Sequence, residues 1–122
     1  MGKSVLLIED EPNIIEAISF ILSRDGWSVA THSNGHDAVG VVVGSRPDIV
    51  ILDVMLPGKT GYEILRELRE VEGLVDLPVL MLTAKGQVKD REMAERAGAS
   101  RFMTKPFSNS EVLEAVRDLV TG

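Results

Sequence analysis

Apolar residues in this chain follow two alternating patterns. Unbroken runs at Val5-Leu6-Leu7-Ile8, Ile49-Val50-Ile51-Leu52 and Val79-Leu80-Met81-Leu82 are those of strands buried on both faces. Two weaker runs, Trp27 to Thr31 and Ser100 to Thr104, read as shorter strands. The stretches between them repeat apolar residues at helical spacing. After Pro12, suited to a first helical position, Ile14, Ile18, Ile21 and Leu22 recur until Gly26 ends the pattern. Ala38 to Val43 is rich in Val and carries Gly40, both poor helix formers, yet it predicts a helix because parallel strands need a crossover. Pro57, Gly58 and Gly61 make a turn into a helix whose inner side is Tyr62, Ile64, Leu65 and Leu68. A polar helix follows from Val88 to Ala97, with Gly98 as its stop. Ser108 and Glu111 form a capping box for the last helix, striped with Val112, Leu113, Val116, Leu119 and Val120.

Strand and helix thus alternate five times, with short connections and no internal repeat. That predicts an α/β fold: a single doubly wound five-stranded parallel sheet with five helices and right-handed crossovers. For this size the expected strand order is the flavodoxin-like 2-1-3-4-5. The 122 residues accommodate one domain, taken as residues 1–122.

Composition narrows the function classes. There is no cysteine, so disulfides, thiolate metal sites and thiol catalysis are excluded. A formal net charge of −6 argues against this domain gripping nucleic acid, which rests on neutralising phosphates with Lys and Arg. The N-terminus runs into a strand without a long apolar leader, and no stretch has membrane-spanning length, so a cytoplasmic location with no membrane contact is expected.

The candidate chemistry stands at the strand ends. The first strand ends on Glu9-Asp10-Glu11, the third on Asp53, the fourth on Thr83 and the fifth on Lys105. In the predicted order the first and third strands are neighbours about 4.8 Å apart, so their carboxylates meet. A lysine side chain spans most of the remaining gap. Converging carboxylates repel unless a cation intervenes, and an oxygen-only donor set favours Mg²⁺. Mg²⁺ completes its shell with phosphate oxygens, so the edge looks built for a phosphoryl group with Asp53 as nucleophile, Lys105 as a protonated point charge and Thr83 as a hydrogen-bond donor. The bland alternatives are that Asp10 or Glu11 merely caps the helix opened by Pro12, and that Thr83 and Phe102 are an ordinary strand end and core filler. His32 and His36 read as surface residues.

Taken together, Glu9-Asp10, Asp53 in Leu52-Asp53-Val54-Met55-Leu56-Pro57-Gly58, Gly61, Thr83-Ala84 and Lys105-Pro106-Phe107 resemble the receiver domain of two-component response regulators over essentially the whole chain. The resemblance implies a phosphorylation-activated signalling switch and not a true enzyme, with weak self-catalysed phosphotransfer and autodephosphorylation. It implies that Asp53 accepts phosphate from a phosphohistidine on a sensor histidine kinase or phosphotransfer protein. Asp10 would bind Mg²⁺ directly, Glu9 through water, and the Met55 backbone carbonyl would be a further ligand. Thr83 and Phe102 would form the switch, and the Lys105-Pro106 peptide would be cis. Output is expected on the face of the fourth helix, fifth strand and fifth helix, from about Val88 through Thr121. There Arg91, Glu92, Arg96, Arg101, Glu111 and Asp118 supply charges for a phosphorylation-dependent homodimer.

Two other readings share parts of this constellation. A haloacid dehalogenase-type phosphatase also uses an Asp nucleophile with Mg²⁺, but needs a second acid where this chain has Met55. A flavin carrier of the same topology needs a loop that cradles phosphate, and Glu9-Asp10-Glu11 would repel one. The receiver resemblance further implies that Met55 and Lys85 would border the path of a hydrolytic water, and Trp27, at a strand start, is expected to lie far from the carboxylates.

Overall fold

The computed structural model describes residues 3–84 and 88–121. Its elements are β1 (Ser4–Ile8), α1 (Pro12–Arg24), β2 (Ser28–His32), α2 (Ala38–Ser45), β3 (Ile49–Asp53), α3 (Gly61–Glu70), β4 (Val79–Thr83), α4 (Val88–Ala97), β5 (Arg101–Thr104) and α5 (Asn109–Thr121). The strands form one sheet in the order β2-β1-β3-β4-β5, all neighbouring pairs parallel, as expected. Among the described residues no helix is long and apolar enough to cross a membrane.

The unbroken apolar runs are explained by the two faces of the sheet. Because successive side chains point to opposite faces, Leu6, Ile8, Val50, Leu52, Val79 and Met81 pack with α2, α3 and α4 on one side. Val5, Leu7, Ile49, Ile51, Leu80 and Leu82 pack with α1 and α5 on the other. β3 and β4 are buried at every position. The helices differ in their grip. α3 buries Tyr62, Ile64, Leu65 and Leu68, whereas the buried residues of α4 are Ala94 and Ala97. At about 2 kcal/mol for each buried large side chain and about 0.8 for each methyl, apolar burial holds α4 several kcal/mol less firmly than α3.

Element ends depart slightly from expectation. Trp27 precedes β2 instead of opening it; its ring packs on the α1/α5 side and its indole N–H donates to Asp25 Oδ2 at 3.1 Å. α2 runs on to Ser45 and stops at Arg46, which takes the left-handed conformation (φ 47°) before Pro47. The Ser108–Glu111 box forms: the Ser108 amide donates to Glu111 Oε1 at 3.0 Å and the Glu111 amide to Ser108 Oγ at 3.1 Å. A second box, Thr60–Glu63, starts α3 and is visible afterwards in the Thr-x-x-Glu spacing. His36 is exposed, but His32 is not a plain surface residue: it is half-buried, with Nε2 2.7 Å from Asp37 Oδ1.

Gly58 takes φ 91°, the turn geometry expected of it. Gly61 requires a different explanation, for it has no left-handed φ. A Cβ at Gly61 would stand 2.3 Å from the carbonyl oxygen of Asp53, so the β3–α3 loop closes only over a hydrogen.

Candidate functional site

Parallel pairing brings the C-terminal ends of β1, β3, β4 and β5 to one edge, where the chain leaves each strand on a polar residue. Ile8 pairs with Leu52, which sets Glu9 beside Asp53. Thr83 pairs with Thr104, which places Lys105 one step beyond, its amide donating to the Thr83 carbonyl at 2.7 Å. The Lys105-Pro106 peptide is cis.

Glu9 is wholly buried, and Asp53 and Thr83 are 2% and 3% exposed, while Asp10 faces solvent. Glu9, Asp10 and Asp53 each offer a carboxylate oxygen, all within 4.8 Å of one another. Lys105 Nζ reaches this group at 3.3 Å from Asp53 Oδ1 and 3.1 Å from Glu9 Oε2. The two Glu9 oxygens are served unequally. Oε1 accepts from the amides of Asp10 and Glu11, both at 3.2 Å, and from Lys105 Nζ at 3.4 Å. Oε2 is buried without a hydrogen bond, Lys105 Nζ lying close but poorly aligned.

Electrostatics follow from this crowding. Burial, and after it the charge of Asp53, push the Glu9 carboxyl up to about 7, although its hydrogen bond from Lys105 pulls the other way. Burial alone would lower the Lys105 ammonium. Its hydrogen bonds to Glu11 and Glu9 and the charge of Asp53 outweigh burial and raise it, so it stays charged. One partly buried lysine therefore serves Glu9 and Asp53 of the three-carboxylate cluster, and a buried Glu9 oxygen lacks a hydrogen bond. An oxygen-only set short of positive charge fits a hard divalent cation.

Every strand-end residue singled out in the sequence lies at this edge, with Met55 in the loop beyond Asp53, its side chain 70% exposed. Lys85 lies outside the described residues. Phe102 is half-buried on β5 with the Arg91 guanidinium 5.9 Å from its ring centroid. The charges considered for a two-fold interface already have partners within the chain. Arg101 meets Asp118 at 3.3 Å, Arg96 meets Glu92 at 3.9 Å, and Glu111 caps α5.

Sequence reasoning counted Glu11 in the acidic end of the first strand, weighed helix capping as its bland alternative, and gave it no individual role in the site. Glu11 does occupy the N-cap position of α1, but its side chain makes no capping hydrogen bond. Instead Glu11 Oε1 accepts from Lys105 Nζ at 3.0 Å, the shortest of that ammonium's carboxylate contacts. The available signal was the residue type, since Glu is not among the favoured caps.

The sequence matches the response regulator receiver domain family over residues 5–117. The probable transcriptional regulatory protein TcrX of Mycobacterium tuberculosis is 42% identical over 117 residues, which cover 96% of this chain and 49% of that protein. The chain thus spans about half the length of that relative. A putative response regulator from Chloroflexus aurantiacus superposes with a TM-score of 0.95 at 29% identity, both chains fully covered. The receiver domain of a sensor histidine kinase from Pseudomonas aeruginosa, which has a magnesium ion coordinated in its active-site cleft, superposes with a TM-score of 0.92 at 30% identity, again over both whole chains. With the acidic edge, the strand order and these likenesses in agreement, the chain belongs to the response regulator receiver domain family, whose members are signalling phosphoacceptors.

Proposed function

We propose that this domain is a phosphorylation-activated switch in which Asp53 takes a phosphoryl group from a phosphohistidine of a partner kinase or phosphotransfer protein. The observation that carries this reading is the 3.3 Å contact between Asp53 Oδ1 and Lys105 Nζ beside the Glu9, Asp10 and Asp53 cluster. A carboxylate oxygen of Asp53 attacks phosphorus, the phosphorus–nitrogen bond breaks, and the departing imidazole keeps the nitrogen electron pair and takes up a proton from water. Glu9, Asp10 and Asp53, together with the Met55 carbonyl, would hold Mg²⁺, which when bound neutralises charge on the phosphoryl oxygens. Lys105 supplies a fixed positive charge on the same oxygens, and Thr83 a hydroxyl from the adjoining strand end. Self-catalysed phosphotransfer and hydrolysis are weak in this reading, because the exposed Met55 beyond Asp53 has no strong group with which to orient a water.

The change then passes through Thr83 and Phe102 to the α4-β5-α5 face, where it alters partner binding or drives homodimerisation. Phe102 forms part of the linings of two surface clefts, of about 320 and 380 Å³, placing the ring where a rotation would reshape that face. The domain works in the cytoplasm, as residues 1–122, without binding nucleic acid itself. The magnesium site named for the Pseudomonas neighbour supports the metal assignment. Acetyl phosphate with Mg²⁺ should add one phosphoryl group by intact mass. Labelling of Asp53→Asn at the wild-type level would end the proposal.

A further inference from the structure

Lys105 Nζ has three carboxylate partners: Glu11 Oε1 at 3.0 Å, Glu9 at 3.1 Å to Oε2 and 3.4 Å to Oε1, and Asp53 Oδ1 at 3.3 Å. An ammonium has three N–H donors, and one hydrogen bond to each of these residues commits them all. A phosphoryl group on Asp53 brings new acceptor oxygens, so the lysine must release one partner to meet them. The three are unequal in what release costs. Glu9 is buried, and a buried carboxylate stripped of its cation has no water to replace it, whereas Asp53, once an acyl phosphate, keeps its share of the ammonium through the phosphoryl oxygens. The Glu11 side chain is 59% exposed and rehydrates as soon as it lets go. It also stands outside the Glu9, Asp10 and Asp53 cluster, so a cation held there does not engage it. Nor does the fold need this side chain, since it makes no capping hydrogen bond and the chain enters α1 through Pro12.

We infer that Glu11 is a positioning residue for Lys105, an exposed tether that holds the ammonium at the mouth of the site and yields it to the phosphoryl oxygens on Asp53. The inference rests on Asp53 being the phosphoacceptor. Glu11 thereby opposes the final state: the tether keeps Lys105 close before phosphoryl arrival and competes with the phosphoryl group afterwards.

The test is a double-mutant cycle read by NMR titration with beryllofluoride, a phosphoryl analogue, at saturating Mg²⁺. Glu11→Gln should tighten apparent binding about two- to fivefold, the range expected for an exposed pair, and should change it little in a Lys105→Met background. Equal tightening in both backgrounds would reduce Glu11 to a general charge effect, and weakening in the wild-type background would reverse its assigned role. A second readout needs neither metal nor beryllofluoride and does not depend on the folding of Lys105→Met. The Lys105 ammonium ¹⁵N signal should be sharp in the untreated protein, persist in Glu11→Asp, and broaden in Glu11→Gln. An unchanged signal in Glu11→Gln would overturn the tether. Absence of beryllofluoride binding to the wild type, with the ammonium effect intact, would count against the phosphoacceptor reading and leave the tether standing.

Discussion

Gly61 lies on the peptide of Asp53: its amide donates to the Val54 carbonyl at 2.8 Å, and a Cβ in its place would stand 2.3 Å from the Asp53 carbonyl oxygen. The first turn of α3 thus fixes the backbone that carries the proposed phosphoacceptor.

Gly61→Ala should therefore cost about 1–3 kcal/mol as an overpacking change, and should slow labelling by acetyl phosphate through displacement of Asp53. Gly44→Ala is the control. A Cβ there meets nothing within 4 Å, and in a helix it should stabilise by up to about 1 kcal/mol. Urea midpoints for the two variants, with labelling rates, check both signs. A Gly61→Ala protein as stable and as reactive as wild type would remove the close approach as a constraint.

If the carboxylate cluster holds Mg²⁺, the ion stabilises the folded protein by about 2.7 kcal/mol at a hundredfold excess over Kd. Asp10→Asn should abolish most of the resulting rise in Tm while leaving the metal-free Tm near wild type, because Asp10 is exposed. Calorimetry with and without Mg²⁺ decides this, and an undiminished rise in the variant would assign the metal elsewhere.

Asp25 sits between Arg117 and Trp27. The Arg117 hydrogen bonds lower its carboxyl below the usual 3.8, burial opposes them, and the Trp27 indole adds to the lowering. Because the folded-state value is the lower one, this group's stabilisation is present above the unfolded pKa and is lost as pH falls through the folded value. Wild type should lose its advantage over Asp25→Asn between about pH 4 and the acid limit of folding. Trp27 fluorescence should report this loss while staying silent during Mg²⁺ titration. Parallel curves for the two proteins across the acid range would contradict the linkage.

Met55 follows Asp53 with its side chain in solvent and has no strong group with which to orient a hydrolytic water. Met55→Asn should shorten the life of the phosphorylated state several-fold, since positioning of the attacking water is worth orders of magnitude at its best. Loss of label after donor removal measures it, with Lys85→Glu as companion. If neither variant shortens the lifetime, these side chains do not set the clock.

The sheet was legible because a strand buried on both faces must be apolar along its run, and β1 from Val5, β3 up to Asp53 and β4 up to Thr83 are. Once the strand order followed, the meeting of Glu9, Asp53 and Lys105 followed too, since register places consecutive strand ends at one edge. Less legible were features set by contacts between distant loops. The residue type of Glu11 argues only against a cap, and does not say that the side chain will turn from α1 to Lys105, 94 residues away. Gly61 reads as a turn glycine, and only the folded loop reveals that space, not dihedral freedom, demands it. The shift of β2 past Trp27 reflects tertiary packing overriding local propensity, since that indole finds Asp25 outside the strand.

Finally, the shallow seating of α4 bears on how such a domain diversifies. Because its buried residues are two alanines, most of its outward positions carry little of the stability of the fold. Substitutions at Lys89, Glu92, Glu95 or Arg96 can accumulate without unfolding the protein, as exposed changes away from special contacts usually stay within about 0.5 kcal/mol. With output on the proposed α4-β5-α5 face, a lineage can therefore retune partner choice by drift on the surface of this helix, while the carboxylate edge stays unaltered.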